Sequence, residues 1–461
     1  MSRKKEFAKN TIILFIGKFA TQFVSFLLLP LFTHFLLTDD YGLVDLLQSY
    51  IFLLVPVLSL RLDSVVFRFL IDKRENEKGK SKIISNIIFV LSIIVLISIV
   101  ISILFIFIFR FKYVLSTIIN LIILMVSNVL LQILRGLGKN KEYSIASIIT
   151  GVSTLLINGI LIIIFKFGAN SILISSSIAN LLVIIYVLFV SKTLHYFDSK
   201  LICKNDIKEL LNYSLPMIPN SLSWWVVNVS DRTIIAIFLG KSFNGIYTVS
   251  CKFSNLLNSV FSIFSMSWQE SASIHINDDD RDKFFSEMIN KLFIAFSCIS
   301  LIIIAVLPLI YNLIIGNKYL SSYNYIPILL YANSWNIMIT LIGGIYVALK
   351  KTKEIASTTI ISAIINLLIN FVFIKFIGLY AACISTLISY FAMSIYRHID
   401  CKKYIDLKIN YLKITIFTFV FIVSSIFYLI NNLYLNIINI LLVILYGILV
   451  NNEIIKDGLI I

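Results

Sequence analysis

The sequence predicts an all-α polytopic membrane protein of about fourteen transmembrane helices, organised as two six-span halves followed by two further spans. Three observations carry this reading: the composition, the lengths of the apolar segments, and the alternation of basic and nearly base-free connections between them. Hydrophobic residues make up 59% of the 461, mean hydropathy is +0.96, and only 14% of residues are charged. An ordinary globular domain is about half apolar and roughly a quarter charged. A water-soluble fold has nowhere to hide this much apolar surface.

Windows of about 20 mostly apolar residues, the length that crosses hydrocarbon as a helix, fall at 11–37, 43–69, 83–109, 114–134, 144–166, 171–191, 214–239, 244–268, 290–314, 324–349, 355–375, 379–396, 411–431 and 434–450. Hydrocarbon offers no partner for a free N–H or C=O, so each segment must be helical, and all are too long for barrel strands. The first opens after Arg3, Lys4, Lys5 and Lys9. Its apolar stretch is too long for a signal-peptide core and lacks an Ala-x-Ala-like exit, so a retained span is expected.

The connections between spans 1 and 2 and between spans 7 and 8 are minimal, built on Thr38-Asp39-Asp40-Tyr41 and Lys241-Ser242-Phe243. These two places also carry an internal repeat. Sliding the chain by 203 residues sets Phe35-Leu36-Leu37-Thr38-Asp39-Asp40-Tyr41-Gly42 against Phe238-Leu239-Gly240-Lys241-Ser242-Phe243-Asn244-Gly245. The long connection 192–213 divides the chain after six spans. Within it Ile207, Leu210 and Leu211 share one helical face beside Lys204 and Lys208, the pattern of an interfacial amphipathic helix. Span 7 opens with Pro216 and Pro219, which remove backbone donors and predict a kink. The expected division is 1–197 for the first half, 198–396 for the second with its leading amphipathic helix, and 397–461 for the two extra spans. Many transporters built from such repeats bind substrate at the repeat interface.

The formal net charge is +15, but the bases are dispersed through loops and do not describe a nucleic-acid surface. Counting bases at span ends with their loops, 28 of the 39 Lys and Arg fall on the side of the N-terminus, 6 on the opposite side and 5 inside spans. The positive-inside rule then places both termini in the cytoplasm. Cys203, Cys251, Cys298, Cys383 and Cys401 are scattered, and His34, His195, His275 and His398 show no ligand spacing. Neither a disulfide framework nor a metal or other cofactor is expected.

A charge near the bilayer centre costs at least about 2.5–3.5 kcal/mol, so one that persists usually faces protein or water. The intramembrane set is Lys18 in span 1, Arg61, Asp63 and Arg68 in span 2, Asp231 and Arg232 in span 7, and Lys252 in span 8. These are the first two helices of each half. Counting rise along each helix puts Lys18 and Arg61 in the cytoplasmic half of the membrane, and Arg232 and Lys252 in the outer half. The cations then form two stations for an anion, with Arg68 reaching the headgroups. Asp63 and Asp231 are candidates for a coupling H⁺ or Na⁺, or for holding an Arg in place. Trp224 and Trp225 lie midway along span 7, away from the interfacial belt where Trp usually gathers. With Asn228 one turn on, they suit a sugar, and packing against neighbouring helices is the competing reading.

The opening of the chain, with Lys18, Pro30-Leu31-Phe32-Thr33 and Tyr41-Gly42, resembles the first hairpin of Wzx-type oligosaccharide flippases of the multidrug/oligosaccharidyl-lipid/polysaccharide exporter superfamily. Leu215-Pro216-Met217-Ile218-Pro219 through Ser230-Asp231-Arg232, then Gly245-Ile246-Tyr247 and Lys252-Phe253, is similar to their seventh and eighth spans. The resemblance implies two six-helix lobes around a central cavity, often with two further helices. It also implies transfer of an undecaprenyl-pyrophosphate-linked oligosaccharide to the outer leaflet of a bacterial plasma membrane, without covalent chemistry. Lys18, Arg61, Arg232 and Lys252 are the implied diphosphate ligands; surrounding membrane lipids and polysaccharide-assembly enzymes are the implied partners. A multidrug antiporter of the same superfamily would want an acidic or apolar cavity, which the excess of bases opposes. A membrane polymerase or ligase acting on lipid-linked glycans generally needs sizeable outer loops, and those of this chain are a few residues long.

Overall fold

The computed structural model describes residues 24–108, 112–349 and 351–456, without the side chains of 220, 227, 228, 263, 266, 352 and 451–456. Lys18 therefore lies outside the described residues, and so does the side chain of Asn228. The described part of the first span is helix α1 (Val24–Phe35). It is followed by α2 (Thr38–Leu58), α3 (Leu62–Asp72), α4 (Glu77–Ile108), α5 (Val114–Gly136), α6 (Asn140–Gly159, running into a π-helical turn at Ile160–Ile164), α7 (Asn170–Ser191), α8 (Thr193–Tyr196), α9 (Lys204–Ser214) and α10 (Ile218–Phe238). The second half continues with α11 (Lys241–Ile274), α12 (Arg281–Ile314), α13 (Ile326–Ala348), α14 (Thr352–Ile377), α15 (Leu379–Cys401), α16 (Tyr411–Ile430) and α17 (Leu433–Lys456).

Eleven described helices are long and apolar enough to cross a membrane. Helices α10 and α11, 21 and 34 residues long, are not among them. Their polarity comes partly from the candidate charges Asp231, Arg232 and Lys252. The protein is thus an all-helical, multi-pass membrane protein among its described residues, in keeping with about fourteen spans.

The chain forms two compact units, Met1–Trp225 and Val226–Ile461. In the first, α5 packs against α2, α3 and α7, while α6 pairs with α7. In the second, α13 is the axis, packed by α11, α12 and α15. Its sequence explains the position: Ala332, Ser334, Gly343 and Gly344 keep the helix thin, and Leu330, Ile337, Leu341, Ile342 and Ile345 are buried on several faces. Small residues let membrane helices approach closely, because packing, not hydrophobicity, drives their association. Gly344 shows the need directly. A Cβ there would stand 2.5 Å from Trp268 Nε1, and that indole donates to the Leu341 carbonyl at 2.7 Å. By contrast Leu96, Ile97, Val100 and Phe107 of α4 are exposed, as befits side chains whose solvent is lipid.

Span 2 differs from the single helix that its apolar length predicts. It breaks between α2 and α3, where Leu60 and Arg61 both have positive φ, 50° and 58°. Pro56 has already removed one ladder donor, and Arg61 N–H instead reaches the Pro56 carbonyl at 3.1 Å. With 21 residues, α2 alone is long enough to cross the hydrocarbon. The amphipathic helix expected after span 6 is α9: Leu210 is buried, Ile207 half-buried, and Lys204 and Lys208 exposed. Lys82 on α4 anchors it through Asp206 at 2.9 Å. On the short-loop side, Lys112 pairs with Asp40 at 2.5 Å, and that hydrogen bond raises the lysine pKa above its ordinary value.

Both units fasten a connection along a helix by side-chain to backbone hydrogen bonds. In the second unit, Asp406, Lys408 and Asn410 N–H groups donate to Asp282, Ser286 and Asn290 of α12 at 3.2, 2.9 and 2.9 Å. Four helical residues rise about 6.0 Å and two extended residues about 6.6 Å. The two repeats therefore stay in step over three contacts. In the first unit, Asp198 N–H donates to Ser85 at 2.8 Å and Cys203 N–H to Asn86 at 2.9 Å on α4. Asn290 also donates to the Lys408 carbonyl at 2.9 Å. Asn290→Ala is accordingly expected to cost about 1–2 kcal/mol and to speed tryptic cleavage after Lys403 and Lys408 several-fold. An unchanged cleavage rate would mean that other contacts hold the segment.

Helix α16 is attached at both ends. Below, it follows directly from the strapped segment; above, the Tyr323 and Tyr428 rings stack at 3.9 Å. Each hydroxyl of that pair donates to the other residue's carbonyl, at 2.8 and 3.0 Å.

Candidate functional site

Asp231 sits one turn from the middle of α10 and is buried. Three helices supply its donors: Tyr247 Oη of α11 at 3.0 Å, Asn370 Nδ2 of α14 at 2.8 Å and Thr386 Oγ1 of α15 at 3.1 Å. A buried carboxylate without such partners is prohibitively costly. These donors were not identified from the sequence. The available signal was Asn366 and Asn370, four residues apart on one face of span 11.

The cluster has unused capacity. Asn366 Nδ2 donates to Ser385 and Thr386 at 3.4 Å each, but Asn366 Oδ1 and Asn370 Oδ1 are buried with no hydrogen-bond partner. Carboxylate, amide carbonyl and hydroxyl oxygens are the donor set that hard cations prefer. Among the described residues no three His, Cys, Asp or Glu gather as metal ligands. The first unit has a neutral echo of this arrangement, since Asn158 of α6 donates to Ser175 of α7 at 2.6 Å. The fifth and sixth spans of each half are thus joined by an Asn–Ser bond.

Arg232, next along α10, interacts electrostatically with Asp231 and is half-buried. Lys252, on α11, is also half-buried. Both are engaged by neighbouring groups. In the first unit Arg61 lies at the helix break, with its Nη2 donating to Ser64 Oγ and 3.6 Å from Asp63 Oδ2. The Arg61 and Asp63 side chains are 26% and 24% exposed, which leaves them within reach of a ligand. Left-handed backbone at a non-glycine residue costs about 1–3 kcal/mol and persists where surroundings impose it, often at functional sites. Arg68 pairs with Asp72 at 2.6 Å in an exposed position.

The two tryptophans part company. Trp225 Nε1 donates to the Ser49 carbonyl at 2.8 Å, and its ring stacks on Tyr50 at 6.3 Å. That ties it to α2. Trp224, about 100° around the helix, is 60% exposed and presents an aromatic face.

This helical architecture is similar in fold to that of solved transporters. It is similar to lipid II flippase MurJ in an inward closed conformation, with a TM-score of 0.71 and 15% identity over 98% of this chain and 99% of that one. It is also similar to a multidrug resistance MATE family transporter in its inward-facing conformation (0.66, 12% identity, 86% of this chain and 95% of that one) and its outward-facing conformation (0.60, 13%, 85% and 93%). At these identities the likeness is one of fold. The polysaccharide biosynthesis protein family matches residues 7–269, more than half of the chain, and the chain belongs to that family. No curated protein matches it.

Proposed function

We propose that this protein is a flippase that moves an undecaprenyl-pyrophosphate-linked oligosaccharide from the cytoplasmic to the outer leaflet of the bacterial plasma membrane, for assembly of a cell-surface polysaccharide. The observation that carries the reading is the placement of Arg232 and Lys252 on α10 and α11, spans made polar in a chain of the polysaccharide biosynthesis family. Lys18, Arg61, Arg232 and Lys252 bind the diphosphate, since charge-assisted contacts from fixed bases are strong in a low-dielectric site. Trp224, with Trp225 and Asn228, contacts the glycan. Both termini are cytoplasmic.

Transport proceeds by alternating access, and Asp231 carries the coupling ion, H⁺ or Na⁺. Its oxygen cluster supports that role, because intramembrane carboxylates commonly mark ion pathways. Asp63 is assigned to positioning Arg61. Replacing Arg232 or Lys252 by Ala is expected to abolish delivery of lipid-linked glycan to an impermeant glycan-modifying reagent in right-side-out vesicles, with the protein still in the membrane. Full activity of both single variants would refute the diphosphate assignment. The likeness to a MATE transporter favours one competing reading, export of organic cations, which transport of a cationic dye by the purified protein would establish.

A further inference from the structure

Positive φ at other non-glycine residues occurs singly and at helix ends: Tyr113, Lys166, Lys192 and Asn431. Leu60 and Arg61 are the consecutive pair among the described residues, and no loop surrounds them. Only Ser59 and these two residues separate α2 from α3. The backbone nevertheless stays bonded across the break, with Leu60 N–H on the Val57 carbonyl at 3.1 Å and Leu62 N–H on the Ser59 carbonyl at 3.0 Å. The segment is a tight, strained corner.

Three side chains hold that corner. Arg61 donates through Nη2 to Ser64 Oγ, Ser64 donates to Asp63 Oδ2 at 3.3 Å, and Arg61 and Asp63 approach to 3.6 Å. The set is incomplete, because Arg61 Nε and Asp63 Oδ1 are buried without a hydrogen-bond partner. A guanidinium used through one nitrogen has its bidentate edge unspent. A phosphate oxygen pair can engage Nε and Nη2 together, with charge-assisted bonds stronger than the single contact it displaces.

We propose that Asp63 and Ser64 are positioning residues that latch Arg61 into the left-handed corner, and that a phosphate ligand opens the latch. This rests on the reading of Arg61 as a diphosphate ligand. Once the guanidinium turns to phosphate, Leu60 and Arg61 lose what imposes their positive φ, and they relax toward right-handed helix. Helix α2 then runs on toward α3. The movement has a route outward: α3 packs on α5 and α9, Phe69 meets the Tyr213 ring edge-on at 5.6 Å, and α9 leads into α10. Binding at Arg61 thereby re-aims the helix that enters span 7.

The test is the distance between spin labels at Phe52→Cys and Lys73→Cys, both exposed sites on either side of the corner. It uses the full chain in nanodiscs with the exposed Cys203 replaced by Ser. The probe is a polyprenyl diphosphate, with the corresponding polyprenol as control. The diphosphate is expected to lengthen the distance toward the about 31 Å that 21 residues of continuous helix span, and the polyprenol to leave it unchanged. Asp63→Asn with Ser64→Ala should shift the distance the same way without ligand, and Leu60→Gly, which removes the strain, should suppress the ligand response. An unmoved distance in the Asp63→Asn/Ser64→Ala protein overturns the latch. Diphosphate that binds, by quenching of tryptophan emission, but moves nothing also overturns the latch while sparing the flippase reading. Diphosphate that does not bind at all removes the flippase reading and the ligand-driven opening with it.

Discussion

Asp231→Ala is expected to destabilise the second unit by about 2–5 kcal/mol, whereas Asp231→Asn folds and fails to transport. Alanine leaves the Tyr247 hydroxyl and an Asn370 N–H without an acceptor, and each orphaned buried donor costs about 1–3 kcal/mol. Thr386 suffers less, because its hydroxyl also bonds the Ala382 carbonyl at 2.9 Å. Asparagine keeps an acceptor oxygen, and its new N–H₂ group has an idle partner nearby in Asn370 Oδ1. It lacks the charge that a coupling cation needs. Thermal unfolding in detergent separates the two variants, and the vesicle glycan assay reads transport. Wild-type transport by Asp231→Asn would show that the carboxylate serves only the fold.

Gly344→Ala is the second large effect, expected at about 2–4 kcal/mol. The added Cβ would stand 2.5 Å from Trp268 Nε1 and 2.7 Å from its Cδ1. The indole is rigid and 3% exposed, and Phe284 and Phe285 pack on it at 6.4 and 5.9 Å. It has no free direction in which to yield. Overpacking of this kind costs about 1–3 kcal/mol, and the lost bond to Leu341 adds about 1. Because the penalty is a collision between two named groups, Trp268→Phe should recover part of it. The double variant would then lose less than the two single variants together. A melting temperature unchanged by Gly344→Ala would mean that α11 and α13 adjust freely.

The fold was legible in the sequence where lipid dictates it. Apolar runs place α12, α13 and α14 within a few residues of their observed cores, because hydrocarbon tolerates no unpaired backbone. The polar strap-bearing turns at the start of α12 were not foreseen, and the helix begins at Arg281 instead of 290. The family read from the Ser230-Asp231-Arg232 and Gly245-Ile246-Tyr247 region is borne out by the match over residues 7–269. Asp231 stood out by its charge, while Tyr247, Asn370 and Thr386 did not, since their grouping arises only when α11, α14 and α15 pack around α10. Nor does Leu60-Arg61 announce a corner. Neither residue favours left-handed backbone, and the contacts that hold it, Arg61 with Asp63 and Ser64, become visible only once the chain has turned.

The mooring of α16 at both ends makes the last two helices a fiducial for the unit that holds them. A label on the exposed face of α16, at Phe419 or Ile422, has little motion of its own to report. Its displacement reads out the trajectory of Val226–Ile461 as a body.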